Sequence, residues 1–279
     1  MLALMPVAGC RTSSEGTPIG PIGPSPERPE DAGPPIGPRA DAGGGGADGR
    51  VPDVAAGDGG VQMDAQGPDP ALVGYWKLDE QGAMVAADSS GKNNPAALIQ
   101  LPAATAWTLG RIDGAVELTG AGAHLRVASS VSVNGIFRAV TVAAWLLRPA
   151  GAGAAGRATV LSRQGAYALG FDGDRPRWAV TVDARPTPAV LQGLEPAARG
   201  RWIHMAGTFD GNQARLFVDG REVAAVVFSG TIGSSMVPLT LGARLATTMA
   251  DEALVGRLDD VRLYARALGP AEIAALAAP

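Results

Sequence analysis

From residue 71 onward, apolar and polar residues alternate in short runs broken by turn residues. The runs are LVGYWKL, GAVELTG, HLRVASS, AVTVAAWLLRP, RATVLSR, YALGFDGD, RPRWAVTVD, RWIHMAGTFDG, ARLFVDG, REVAAVVFSG, VPLTLGA and VGRLDDVRLYARAL. A period of two is that of half-buried strands, whose successive side chains point to opposite faces. In RWIHMAGTFDG this puts Trp202, His204, Ala206 and Thr208 on one face and Ile203, Met205 and Phe209 on the other. Asp210-Gly211-Asn212 and Asp219-Gly220 fall between such runs and predict two successive hairpin turns. About 200 residues of evenly spaced strands suit one all-β domain, a two-sheet antiparallel sandwich. Only GPAEIAALAA, after Leu268, reads as helix, with Pro270 in its first turn and Glu272 near its N-terminus.

The alternation is missing upstream. Residues 11–70 are rich in Pro, Gly and Asp and contain no aromatic residue. Such a segment cannot bury enough apolar surface to offset the entropy of ordering, so a disordered linker is expected there. Charge follows the same division. The whole chain carries −4, whereas residues 11–70 alone carry −6, leaving the remainder near +2. No basic stripe interleaved with aromatics is present, which argues against a nucleic-acid partner. No apolar run is long enough to predict a membrane-spanning helix.

Cys10 is the single cysteine, so neither an intramolecular disulfide nor a cysteine metal cluster is expected. It follows Val7-Ala8-Gly9, and residues 1–9 are apolar. This stretch resembles the remnant of a signal peptide with a bacterial lipobox. The resemblance implies that Cys10 is lipidated and that residues 11–70 tether a domain, residues 71–279, to the bacterial cell envelope. The outer membrane, or its periplasmic or extracellular face, is the expected location.

Four phrases occur in order: GYWKLDEQGAMVAADSSGKNN, VTVAAWLLRP, RWIHMAGTFDGNQARLFVDGREV and GRLDDVRLYARALGPAEI. Together they resemble the LamG-like jelly-roll domains of the concanavalin A-like lectin/glucanase superfamily. The resemblance covers about residues 72–278 and implies a jelly-roll sandwich of two antiparallel sheets. Its members bind sugars or proteins, act as adhesion modules, or, in the glucanase branch, cleave glycans. The resemblance therefore implies a fold and leaves the function to the site.

Glycoside hydrolysis needs two carboxylates across the scissile bond. Glucanases of this superfamily present Glu-x-Asp-x-x-Glu along one strand, and this chain lacks that run. Asp79-Glu80 and Asp259-Asp260 are adjacent pairs, which a regular strand sends to opposite faces. Asp251-Glu252 reads as loop. His124 and His204 are far apart and read as half-exposed strand positions. Catalysis is not expected.

The loop Asp88-Ser89-Ser90-Gly91-Lys92-Asn93-Asn94 is rich in oxygen ligands of the kind calcium takes. LamG-like domains often hold calcium beside a sheet edge, which implies a site at Asp88 and Asn93 that Asp259 or Asp260 completes. The alternative is a turn in which Asp88 and Asn93 bond their own backbone. In LDDVRLY, alternation puts Asp259 on the face of Val261 and Leu263, and Asp260 on that of Leu258 and Arg262. A carboxylate on a core face must be paired, so Asp259 is expected to tie the last strand to a neighbouring loop, with or without a metal. Of the five tryptophans, Trp76, Trp145 and Trp202 sit inside strong strand runs and read as core. Trp107 and Trp178 are the candidates for stacking on sugar rings. These readings converge on a monomeric, non-catalytic binding or adhesion module for a carbohydrate or a cell-envelope protein. A glycan-active enzyme and a structural envelope protein are the alternatives.

Overall fold

A computed structural model describes residues 69–151, 156–183, 187–246 and 249–278. Cys10 and residues 11–68 of the linker lie outside the described residues. The first nine strands are β1 (Leu72–Trp76), β2 (Val85–Ala86), β3 (Ala96–Ile99), β4 (Trp107–Leu109), β5 (Gly114–Thr119), β6 (His124–Val127), β7 (Val140–Leu147), β8 (Arg157–Arg163) and β9 (Tyr167–Asp172). The others are β10 (Arg175–Val180), β11 (Ala189–Gln192), β12 (Trp202–Phe209), β13 (Gln213–Val218), β14 (Arg221–Val227), β15 (Leu239–Leu241), β16 (Arg244–Ala246), β17 (Met249–Asp251) and β18 (Val255–Tyr264). Three helices, α1 (Ala103–Ala106), α2 (Val131–Asn134) and α3 (Pro270–Leu276), complete the domain.

Two antiparallel sheets pack face to face. The first runs β14-β13-β12-β7-β18-β5-β4, with β1 also paired to β18. The second runs β11-β10-β9-β8-β15-β6-β3-β2. β16 and β17 form a separate two-stranded ribbon. Val116, Leu146, Leu258 and Val261 from the first sheet share one buried cluster with Leu125, Leu161, Leu169 and Trp178 from the second. Burial of this apolar surface is what holds the sheets together. Trp178 lies fully buried, with its indole N–H donated to the carbonyl of Thr208 at 3.1 Å. It fits because residue 207 is glycine: a Cβ there would lie 2.3 Å from the indole.

The expected hairpin turns are both present. The Asp210 carboxylate accepts the N–H groups of Asn212 and Gln213 at 2.8 and 2.7 Å. Asp219 and Gly220 adopt left-handed φ values of 48° and 75°, the geometry of a tight hairpin. The expected C-terminal helix is α3. Glu272 accepts the N–H of Gly269 at 2.8 Å and Pro270 opens the first turn. Its Ile273 packs with Leu72, Ala143, Ala206, Phe217, Tyr264 and Leu268, covering part of the outer face of the first sheet. Asp69, at the end of the expected linker, pairs with Arg266 at 2.6 Å.

The strands missing from the sequence reading are the shortest or weakest ones: β2, β3, β4, β11, β16 and β17. They lie at sheet edges or in the ribbon, apart from β3, and have too few residues to show a period. α1 and α2 are single turns with no apolar stripe and were equally unreadable.

Candidate functional site

The outer face of the first sheet carries a polar and aromatic row. Trp145 on β7 pairs with His204 on β12 and with Asp259 on β18. All three lie on the face of Ala143 and Ala206, opposite the core. The Trp145 and His204 rings meet edge to face at 5.4 Å, and the Arg111 guanidinium sits 5.0 Å from the Trp145 ring. His204 and His124 are only 2% and 4% exposed, not half-exposed as their strand positions suggested. The Trp145 indole packs against the His204 ring, while His124 folds its Nδ1 onto the Gly122 carbonyl at 2.7 Å. Burial lowers the His204 pKa to about 4, so the ring is neutral near pH 7.

The alternation expected for Asp259 and Asp260 fails at a β-bulge. Pairing slips between Asp259 and Arg262, and Asp260 takes a left-handed φ of 50°. Leu258 and Val261 both stay in the core, so the two intervening aspartates belong to the outer side. Asp260 pairs there with Arg262 at 3.0 Å, and the Arg262 guanidinium lies 4.4 Å from the Tyr75 ring. Asp259 Oδ2 accepts the N–H groups of Arg111 and Ile112 at 2.7 and 2.8 Å. Asp259 thus ties the last strand to the loop before β5, as expected, but from the outer face. It is fully buried, and its Oδ1 has no hydrogen-bond partner among the described residues. Desolvation pushes its pKa up to about 7 against the two N–H bonds, with Asp260 and Asp79 adding to the rise.

The Asp88 loop matches the turn alternative at Asp88 but not at Asn93, whose side chain makes no hydrogen bond among the described residues. Asp88 Oδ1 accepts the N–H groups of Tyr75 and Ser90, both at 2.9 Å. Its Oδ2 accepts the Ser90 hydroxyl and the Asn94 N–H, both at 2.8 Å. Four donors occupy the carboxylate, and Asn94, not Asn93, is the buried residue that braces β1 through the Val73 carbonyl at 2.7 Å. Asn93 is exposed, with a left-handed φ of 58°. Among the described residues no three His, Cys, Asp or Glu side chains are arranged to hold a metal. This donor set does not fit a calcium ion.

The tryptophan assignments divide. Trp178, expected as a sugar platform, is a core residue at 0% exposure because β10 turns it inward onto Gly207. Trp76 is also core, its indole N–H on the Asn94 carbonyl at 2.8 Å. Trp202, read as core, is half-buried at the end of β12, where it lines a depression of about 370 Å³ with Trp145, Arg111, Arg201 and Asp219.

Trp107 is half-buried on β4 and lines a groove of about 690 Å³ with Asp79, Glu80, Gln81 and Asp113. Its indole N–H bonds the Ala83 carbonyl at 2.9 Å, which fixes the ring. Asp79 and Glu80 both face this groove because they lie in a loop after β1, outside any regular strand. The loop comes close to β5 at Gly114, where a Cβ would lie 2.7 Å from the Asp79 Cα. Gly114 donates its N–H to Asp79 at 2.9 Å, and Ala87 donates to Glu80 at 2.6 Å. An aromatic ring beside fixed carboxylate acceptors can stack on one face of a polyhydroxylated ring and bond its hydroxyls.

Several solved structures share this architecture. The binding domain of Paraclostridial Mosquitocidal Protein 1 aligns with a TM-score of 0.59 at 14% identity, over 74% of this chain and 52% of that one. Domain 4 of an extracellular arabinanase from Geobacillus stearothermophilus, solved in complex with arabinotriose, aligns with a TM-score of 0.57 at 17% identity, over 74% of this chain and 98% of that one. The binding domain of Botulinum Neurotoxin DC, solved in complex with SialylT, gives 0.57 at 11% identity, over 74% and 50%. The chain thus spans about half the length of these two toxin binding domains. No curated protein matches in sequence. The family model described as the concanavalin A-like lectin/glucanases superfamily matches residues 119–274. That match covers more than half of the sequence and the sandwich carries the corresponding fold, so the chain belongs to the concanavalin A-like lectin/glucanase superfamily.

Proposed function

We propose that the domain is a non-catalytic, monomeric binding module and that its ligand is a carbohydrate held in the Trp107 groove. The observation that carries this reading is the fixed indole beside Asp79, Glu80, Gln81 and Asp113. The arabinotriose complex of the arabinanase domain supports a glycan as the ligand class. On this reading the lipobox resemblance at Val7–Cys10 anchors the module to the cell envelope, and the acidic linker holds it away from the membrane. Fatty-acid labelling that depends on Cys10 supports the anchor; labelling that persists in Cys10→Ala refutes it.

A glycan array probed with the full chain tests the ligand. Binding to an oligosaccharide that falls at least tenfold in Trp107→Ala and in Gln81→Ala, with unchanged melting, supports the groove. Gln81 is exposed, so its variant separates binding from folding. Binding unaffected by either change removes it. The three carboxylates in one groove, Asp79, Glu80 and Asp113, favour a second reading, glycan hydrolysis. Turnover of β-glucan, galactan or chitin that is lost in Glu80→Gln would establish that reading instead.

A further inference from the structure

The outer face of the second sheet holds a separate groove of about 330 Å³. Ala168 on β9 and Ala179 on β10 form part of its floor, and Arg157, Arg177, Arg244 and Glu252 stand around it. Small floor residues leave the sheet surface open to an extended ligand. The charges are not equivalent. Glu252 receives Arg244 at 3.2 Å, Arg157 at 3.5 Å and the Thr159 hydroxyl at 3.2 Å. Asp251 is taken by the other arm of Arg244. Arg177 is left over: it is half-buried, and among the described residues its guanidinium has neither a hydrogen bond nor an ion pair. Asp172 and Glu252 act on it only through space. Burial, and then the charge of Arg157, hold Arg177 below the ordinary arginine range, so its cationic form is poorly solvated where it stands. Two further lining residues, Ser162 and Gln164, each bury an oxygen with no partner among the described residues. Groups of that kind are stabilised by a ligand that accepts from arginine and exchanges hydrogen bonds with hydroxyl and amide oxygens.

We propose that this groove is a second binding site, for the carboxylate or sulfate group of an acidic polysaccharide, with Arg177 as the anion-binding residue. The planar guanidinium offers two parallel N–H donors to an oxyanion, and the open, small-residue floor admits the sugar that carries it. The site lies on the other sheet from Trp107 and does not depend on the reading of that groove.

Affinity electrophoresis or calorimetry on the full chain tests it, with polygalacturonate as the carboxylate probe, dextran sulfate as the sulfate probe, and neutral dextran and inorganic sulfate as controls. The expected result is saturable binding of at least one polyanion, weakened at least tenfold in Arg177→Gln and partly restored in Arg177→Lys. Arg175→Gln removes the same charge from an exposed neighbour on β10 and should change affinity less than twofold, as should Trp107→Ala. Because the Arg177 side chain makes no hydrogen bond among the described residues, and glutamine leaves its strand pairing with Gly170 and Gln192 in place, Arg177→Gln should melt with the parent. Binding of neither polyanion overturns the proposal. So does equal weakening by Arg175→Gln, which would mean diffuse charge attraction, or equally tight binding of inorganic sulfate, which would leave the polysaccharide no role.

Discussion

Replacing Asp259 by asparagine should change how stability depends on pH. In the folded domain Asp259 is fully buried, and its pKa is pushed up to about 7 from an ordinary 3.8. The folded state therefore holds the Asp259 proton more tightly than the unfolded chain does. The resulting stability is fully present below pH 3.8 and is lost as pH rises through about 7. At about 1.4 kcal/mol per pH unit, the loss amounts to about 4 kcal/mol. Asparagine keeps an acceptor for the N–H groups of Arg111 and Ile112 and has no proton to lose. The stability gap between the variant and the parent should therefore open by about 4 kcal/mol between pH 4 and pH 8, or roughly 10 °C in melting temperature for a domain of this size. His204 acts in the opposite sense. Its pKa is lowered to about 4, so the stability it contributes is present above 6.5 and is lost as pH falls through 4. In the parent the two trends oppose each other. In Asp259→Asn the opposing trend is gone, and stability should rise from pH 4 to pH 7, with the lowered carboxylates of Asp69, Asp174 and Glu272 acting in the same sense as His204 at the acid end. Urea unfolding at half-unit pH steps measures both curves. Parallel curves for parent and variant would refute the reasoning.

Two other expectations concern the core and the loop. Trp178→Ala should cost about 3–5 kcal/mol of stability by opening a cavity between the sheets, and Gly207→Ala should also destabilise by driving a methyl group into the same indole; chemical denaturation reads both. Calcium and chelator should give the same melting temperature, because four donors already fill the Asp88 carboxylate; a rise of several degrees with calcium that vanishes in Asp88→Ala would show that the loop rearranges around the ion.

Most of the sandwich was legible in the chain because strand alternation, Asp-Gly turns and the Pro270-to-Glu272 helix start are local properties, written within a few residues. The long strands β7, β12 and β18 and the turns at Asp210 and Asp219 could be read this way. Which face of a strand meets the core is not local. Trp178 and Trp107 look alike in sequence, yet one enters the space left by Gly207 and the other borders an edge groove. The bulge at Asp260 breaks the two-residue period, so counting along the strand puts Asp259 on the wrong face. Arg177 shows the limit most clearly. Its sequence neighbours do not distinguish it from the other arginines. It becomes a candidate anion site only because folding brings Arg157, Arg244 and Glu252 beside it, pairs those three with one another, and leaves its own charge half-buried and unmatched.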